Sequence, residues 1–560
     1  MSFPDKITYF AETDSRNKCV PFGIKAKDRL KHVYVIGKTG MGKSTLLENM
    51  AIQDIQGGEG MTFVDPHGKT AELLLEYVPE ERIKDVIYFA PFDIEHPISF
   101  NVMEDVGPEK RHLVANGMMS AFKKLFGEES FSDRMQYILQ NTILALLEYP
   151  NSTMLGINKM LVDKAYRKKV VDNVTDPSVK TYWTKEFAGY TDRFAAEAVP
   201  AIQNKIGQFT SNPLVRNIIG QEKSSFDFRQ VMDEGKIVII NLSKGRVGEA
   251  NANLLGSIII TKIYLAAMSR ADIHESELSK LPNFYLYVDE FQSFANESFA
   301  DILSEARKYK LNLTIAHQYI EQMSEEVRAA VFGNVGTMIT FRVGAYDAEV
   351  LEKEFAPTFT AEDLVNLGSY QIYLKLMIDG VSSQPFSAMT LPPIKAPEVS
   401  LVDRIVANSR KMFAQERAKV EKDIEEWHGV EDTPNTPPQE KSRSSKPKKR
   451  SGTRDSNPVT KREDRSSQGS RPKSNSSDSR ESVSLNELKN KTNNQRKPDP
   501  KRISDLKAAL QAVTGGQKTT PQVEKTDSPK EERKVEKSTK DPKDNSGPNP
   551  DELKKILELT

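Results

Sequence analysis

Apolar residues recur along this chain in two rhythms, and the switch between them marks out its regions. Short runs rich in β-branched and aromatic residues read as buried strands. They fall at residues 33–36, 60–65, 85–89, 236–241, 284–288, 312–316 and 337–341, with a further β-rich piece at 370–376. Helical stretches alternate with them, which is the pattern of an α/β fold with a mainly parallel sheet. Between Val106 and Asp227 the rhythm changes. MMSAFKKLF, MQYILQNTILALLEY and FAAEAVPAIQNKIGQF place apolar residues three and four apart, predicting an all-helical insertion over 106–227.

The same pattern divides the rest. Residues 1–30 read as a β-rich lead-in, while 31–105 and 228–400 are the two parts of the sheet domain. Over 401–430, Val402, Ile405, Met412, Phe413, Val420, Ile424 and Trp427 predict one amphipathic closing helix. No Phe, Trp or Tyr follows Trp427. A segment without aromatics cannot bury enough surface to offset its ordering entropy, so 431–560 is predicted to be a disordered tail. The most apolar stretch, Leu254 to Met268, is broken by Gly256, Ser257 and Lys262. It reads as a buried helix, too short for a bilayer span of about 20 residues.

Charge sharpens the division. The whole chain is balanced at 79 basic and 79 acidic residues, but residues 441–560 hold 30 Lys+Arg against 18 Asp+Glu, leaving 49 against 61 before them. An acidic body thus carries a basic tail. Cys19 is the only cysteine, which excludes an intrachain disulfide and a cysteine zinc site and suits a reducing cytosol. The opening MSFPDKITYFAETDSR has no apolar run, so neither a signal peptide nor an integral membrane segment is expected; the expected place is the cytoplasm.

The candidate chemistry begins where the strand Val33–Ile36 runs into Gly37-Lys38-Thr39-Gly40-Met41-Gly42-Lys43-Ser44-Thr45. In the spacing G-x-x-x-x-G-K-[ST], glycines let backbone N–H groups turn inward onto phosphate oxygens, and the following helix adds partial positive charge. Lys43 is placed to reach the β- and γ-phosphates and Ser44 to offer its hydroxyl to Mg²⁺. A second apolar strand, Phe284–Val288, ends in Asp289-Glu290. Adjacent carboxylates at a strand end suit Mg²⁺-dependent hydrolysis: Asp289 holds the metal directly or through water, and Glu290 polarises the attacking water. Gln318 closes the strand before it and is placed to sense the γ-phosphate. These residues gather at carboxyl ends of strands, where open α/β sheets bind ligands. Asp65 and His67 read either as the rim of that site or as an ordinary turn.

GKTGMGKST, FVDPHGK, YVDEFQSF and SEARKYKLNLTIAHQY together resemble the HerA–FtsK superfamily of ring-forming DNA motors. Within it, the chain is most similar to the conjugative coupling proteins of type IV secretion, over about 20–395 and including VIINLSKGRVGEANANLLGSIII. The resemblance implies a RecA-like P-loop NTPase with an inserted all-α domain, ATP and Mg²⁺ as cofactors, DNA as partner and a homohexameric ring. It makes Gln318 the family's glutamine. It makes Arg307 a finger inserted into the next subunit's site, with Arg342 a second candidate; each has the alternative of a solvated arginine. Membrane-bound coupling proteins carry N-terminal transmembrane helices, which are not found here. Peripheral recruitment to the inner face of the membrane by another protein, and work on DNA away from the envelope, both remain open. The insertion and the tail are candidates for contact with relaxosome or secretion-channel proteins.

In the tail, Lys441–Arg450 carries six positive charges and no negative ones, suited either to DNA phosphates or to a solubilising linker. Segments 483–489, 503–510 and 550–557 read as short docking helices or as chance similarity. Two other functions fit the same motifs: a type IV secretion ATPase powering protein export or pilus assembly, and a scaffold that binds ATP without mechanical work.

Overall fold

The computed structural model describes residues 5–14, 18–190, 192–296 and 298–429. The predicted tail, its basic run and its three short helices lie outside the described residues. Among the described residues thirteen strands form in chain order: β1 Ile7–Thr13, β2 Pro21–Lys25, β3 Val33–Ile36, β4 Gly60–Asp65, β5 Val86–Phe89, β6 Ile237–Asn241, β7 Phe284–Val288, β8 Leu311–His317, β9 Thr337–Thr340, β10 Gln371–Lys375, β11 Met377–Ile378, β12 Val381–Ser382 and β13 Phe386–Thr390. Eleven of them build one sheet in the order β2-β1-β13-β10-β9-β3-β8-β7-β4-β6-β5, while β11 and β12 pair separately.

From β9 to β5 every neighbouring pair is parallel, with Val33 in register with Thr337 on one side and Thr314 on the other. Strands β10, β13, β1 and β2 extend that block as antiparallel pairs. The predicted lead-in is therefore an edge of the main sheet, tied to it through β13 by pairs such as Ala11 with Thr390.

Side chains alternate between the two faces of each strand. On β3, Val33 and Val35 pack with Leu46, Met50 and Ile55 of the helix Lys43–Gln56. Tyr34 and Ile36 point the other way, into a core that runs on through Phe122, Leu139, Ile143 and Ile206 of the insertion. All described elements between β5 and β6 are helical, Arg111–Phe126 and Asp133–Glu148 among them. Because its apolar face merges with that of the sheet, the insertion shares one core with the strands it interrupts.

Two expectations are corrected. The closing helix is two helices, Val402–Phe413 and Arg417–His428. Between them the chain docks on the body: Ala414 bridges Ile98, and the N–H groups of Gln415 and Arg417 donate to the carbonyls of Pro97 (3.2 Å) and Glu95 (3.1 Å). The apolar helix Glu249–Met268 is longer than its sequence suggested, and Glu249–Asp272 is long and apolar enough to cross a membrane. Here 67% of its apolar window is buried, and Leu255, Ile259 and Ile263 belong to the sheet's core.

Two buried groups anchor the start of the parallel block. Arg29 is 2% exposed and pairs bidentately with Asp54 of the helix after β3, at 2.8 Å for both bonds. Its guanidinium also donates to Thr8 of β1 and Tyr287 of β7, and lies 3.7 Å from the ring centre of Tyr285. His32 donates from Nε2 to the carbonyl of Leu303 and accepts the N–H of Leu313 on Nδ1, which fixes its tautomer.

Candidate nucleotide site

The parallel order β3-β8-β7-β4 sets four strand ends side by side on one edge of the sheet. Along that edge come the glycine-rich loop after β3, Gln318 after β8, Asp289-Glu290 after β7 and Asp65-His67 after β4.

The loop is held from behind. The N–H of Gly37 donates to the His317 carbonyl and that of Lys38 to the Arg342 carbonyl, while the Met41 carbonyl accepts the N–H of Tyr370. Gly42, at φ 116°, lies against the rings of Tyr370 and Phe341; a Cβ there would meet Tyr370 at 3.0 Å in a left-handed backbone. The helix Lys43–Gln56 begins at once, and the N–H groups of Gly40 through Thr45 find no acceptor among the described residues. A row of orphan donors at a helix N-terminus is a cradle for phosphate oxygens. Lys43 is buried, its Nζ donating to the carbonyls of Gly37 and Lys38. Burial lowers its pKa against the pull of Glu290 and Asp289. Ser44 stands exposed on the first turn.

The two acids have opposite environments. Asp289 is 5% exposed; burial, then the charges of Glu290 and Asp65, push it up to about 6. Burial also presses Glu290 upward, but the nearby His67 imidazole and the hydrogen bonds from Gln318 and Gln292 outweigh it and hold the carboxyl down at about 2. Gln318 donates to one oxygen of Glu290 and Gln292 to the other, and Nε2 of His67 stands 3.8 Å away. Glu290 sits in the left-handed region at φ 49° and ψ 48°. For a residue with a side chain that conformation is strained by about 1–3 kcal/mol and is characteristic of functional sites. Its backbone is pinned by bonds from its own N–H to Asp289 and from the Ser293 N–H to its carbonyl.

Gln318 also accepts the hydroxyl of Thr39 at 3.1 Å, so one chain of bonds runs from the loop through Gln318 to Glu290. Asp65 accepts the N–H groups of His67 and Ala71 with its two oxygens, the arrangement of a turn, while His67 turns its ring to Glu290. Arg342 follows β9 beside its own loop. Arg307 is exposed on the turn before β8, at the opposite edge of the sheet from Gln318, and has no ion-pair partner among the described residues.

Sequence reasoning assigned no role to Gln292, Tyr370 or His317. Gln292 lies inside the quoted YVDEFQSF, two residues past the acid it bonds. His317 is fully buried with Nδ1 on the Tyr34 hydroxyl, and burial drives its pKa down to about 3. A Mg²⁺ ion fits the donors present. Ser44 and Asp289 offer two oxygen donors, and Mg²⁺ in nucleotide sites takes one or two protein ligands and completes its shell with phosphates and waters.

A mainly parallel sheet with this loop and the acidic pair at strand ends separated by one strand, β8, defines a RecA-like P-loop nucleotide-binding fold. The chain belongs to the family of the type IV secretion-system coupling protein DNA-binding domain, whose model matches residues 18–372. Among solved structures, the bacterial conjugative coupling protein TrwBΔN70 in its unbound monoclinic form is 15% identical, with TM-score 0.50, over 67% of this chain and 88% of that one. The plasmid coupling protein TrwB with ADP and Mg²⁺ is 15% identical, with TM-score 0.48, over 68% and 89%. VirB4 of Thermoanaerobacter pseudethanolicus is 13% identical, with TM-score 0.46, over 71% and 99%. No curated protein matches.

Proposed function

We propose that this coupling-family protein is an ATPase that moves DNA, working as a ring of six copies. The observation that carries the reading is the bonded chain Thr39–Gln318–Glu290, which joins the phosphate loop to an acid held beside it. Ser44 and Asp289 would hold Mg²⁺, which neutralises charge on the β- and γ-phosphate oxygens when bound. Lys43 turns from the loop carbonyls to the phosphates. Glu290 orients and deprotonates the attacking water. Gln318 touches both the loop and the acid, and so reports the γ-phosphate to the base.

Arg307 lies away from its own loop and is proposed as the group that completes a neighbour's site. An arginine supplied in trans contributes about 10³–10⁵ in rate, which makes hydrolysis depend on assembly. Arg342, beside its own loop, is assigned to the nucleotide in cis. The test is ATP hydrolysis by the full chain with and without DNA, alongside native mass. Turnover is expected to rise with DNA, to require a multimer and to be abolished by Lys43→Ala. Undiminished hydrolysis by a monomer that ignores DNA would overturn the reading.

A further inference from the structure

The sheet order β10-β9-β3-β8-β7 gives the phosphate loop after β3 two different flanks. Gln318, Asp289 and Glu290 stand at the ends of β8 and β7, so hydrolysis requires the γ-phosphate on that flank. The nucleoside end of the same ligand then leaves over β9 and β10. Because β10 runs antiparallel to β9, its start lies at the edge where β9 ends. The residue at that start is Tyr370.

Tyr370 is 52% exposed, yet its backbone is held at three points. Its N–H donates to the Met41 carbonyl at 3.1 Å, and its carbonyl accepts the N–H of Thr390 at 2.9 Å and the Thr390 hydroxyl at 3.3 Å. These bonds keep it at φ 66°, in the left-handed region that a bulky side chain rarely adopts. The ring lies against Gly42: a Cβ on that glycine would stand 3.0 Å and 3.5 Å from ring carbons Cδ1 and Cε1. Phe341 backs the same glycine but is fully buried. The Tyr370 hydroxyl has no partner among the described residues. Neither packing nor turn chemistry accounts for this residue. A core ring would be covered, and glycine or asparagine would hold such a turn with less strain. A strained, anchored backbone that sets a half-exposed ring against a binding loop has the form of a ligand clamp.

We infer that Tyr370 is the platform on which the base of the bound nucleotide stacks. The inference rests on the ATPase reading and deepens it by assigning the base a subsite. Stacking needs a flat ring with a free face, and every nucleobase offers a π-face to match. It is most effective when the ring is placed before the ligand arrives. Here the anchors supply that placement, because Met41 and Gly42 belong to the phosphate loop itself. Thr390 leads on to Leu391 and Pro392, whose carbonyls accept the Asn49 amide of the helix Lys43–Gln56 at 3.3 Å and 2.9 Å. The ring is thus braced to both the loop and the helix that form the phosphate cradle.

The test uses the full chain with Mg²⁺ and two probes. One is 2-aminopurine riboside triphosphate, a fluorescent nucleotide whose emission falls when its base stacks; the other is inorganic tripolyphosphate, which has no base. The wild type is expected to bind both and to quench the first. Tyr370→Phe keeps the ring and should keep affinity and quenching. Tyr370→Asn tolerates the left-handed backbone. It should weaken ATP and its analogue about 5- to 10-fold, the low end of base–aromatic stacking, and abolish quenching while tripolyphosphate binds as before. Binding without quenching in the wild type, a result that needs no variant, would overturn the inference. So would wild-type affinity and quenching in a folded Tyr370→Asn. Equal weakening of ATP and tripolyphosphate would make Tyr370 a support of the loop and overturn the base subsite. A loss of native mass with affinity and quenching kept would make the ring a contact between copies, with the same consequence. A wild type that binds neither probe would sink the ATPase reading itself, whereas binding of both with Tyr370→Asn unaffected would sink only this inference.

Discussion

The polar cluster around Arg29 and the one around Glu290 are built from similar groups and behave differently. At Arg29 the guanidinium and the Asp54 carboxylate are both buried, paired at two points, and closed in by Tyr285 and Tyr287. A charge there can leave its partner only by being buried alone, so the cluster has one arrangement. At Glu290 both carboxylate oxygens are also engaged, but by two neutral amides, with an exposed imidazole 3.8 Å away, on a left-handed backbone. Neutral donors can be exchanged for water or ligand at a small net cost of about 0.5–1.5 kcal/mol each. Burial with charge pairing gives a fixed point of the fold; partial burial with neutral partners gives a group able to change partners during a reaction.

The largest effect expected on that contrast is at Glu290. Glu290→Gln keeps the shape and one acceptor but removes the base, so turnover should fall by about 10²–10⁴-fold with melting nearly unchanged. Hydrolysis at the wild-type rate would show that the open network is not catalytic. Arg29→Ala should do the reverse, destabilising the fold by about 3–5 kcal/mol because Asp54 is left buried and unpaired. Denaturant titration measures it, and a loss below about 1 kcal/mol would erase the distinction between the clusters.

A third expectation concerns pH at the buried end of the strands. Burial holds His32 down at about 4, against about 6.5 in the unfolded chain. A base with a depressed folded pKa contributes stability that is full above the unfolded value and lost as pH falls through the folded one. The shift corresponds to about 3 kcal/mol, lost between pH 6.5 and 4. Asparagine tolerates the left-handed φ of 60° at this position, so His32→Asn should fold and should lose that part of the acid dependence. Identical pH–stability curves for the two proteins would remove His32 from the account.

Much of this was written in local sequence. The parallel strands show as β-branched runs, and the phosphate loop shows as a spacing because its chemistry needs consecutive N–H groups from one turn. What was not legible depends on residues far apart. The Arg29 cluster joins positions 8, 29, 54 and 287, and no window of sequence contains it. The pairing of β1 with β13 spans nearly the whole described chain. The closing segment keeps a helical rhythm through its break, because the break is imposed by Pro97 and Glu95 from outside. The left-handed turn at Glu290 was hidden for another reason: glutamate gives no sign of that conformation, which its neighbours hold in place.

The smallest effect expected tests whether the open network needs a rigid wall. Gly256 sits in the buried helix Glu249–Met268, and a Cβ added there would lie 2.2 Å from the ring of Phe294, four residues past Glu290. Overpacking a tight core site costs about 1–3 kcal/mol, so Gly256→Ala should lower stability by that amount. Phe294 ends the short 3-10 turn Phe291–Ser293 that carries Gln292, so relief of the clash moves the residue bonded to Glu290. Turnover should therefore fall by more than the unfolded fraction explains, at temperatures where the variant is fully folded. A stability loss with wild-type turnover would mean that the amide holding Glu290 tolerates a displaced backing, and that the exchange of partners there depends on the side chains alone.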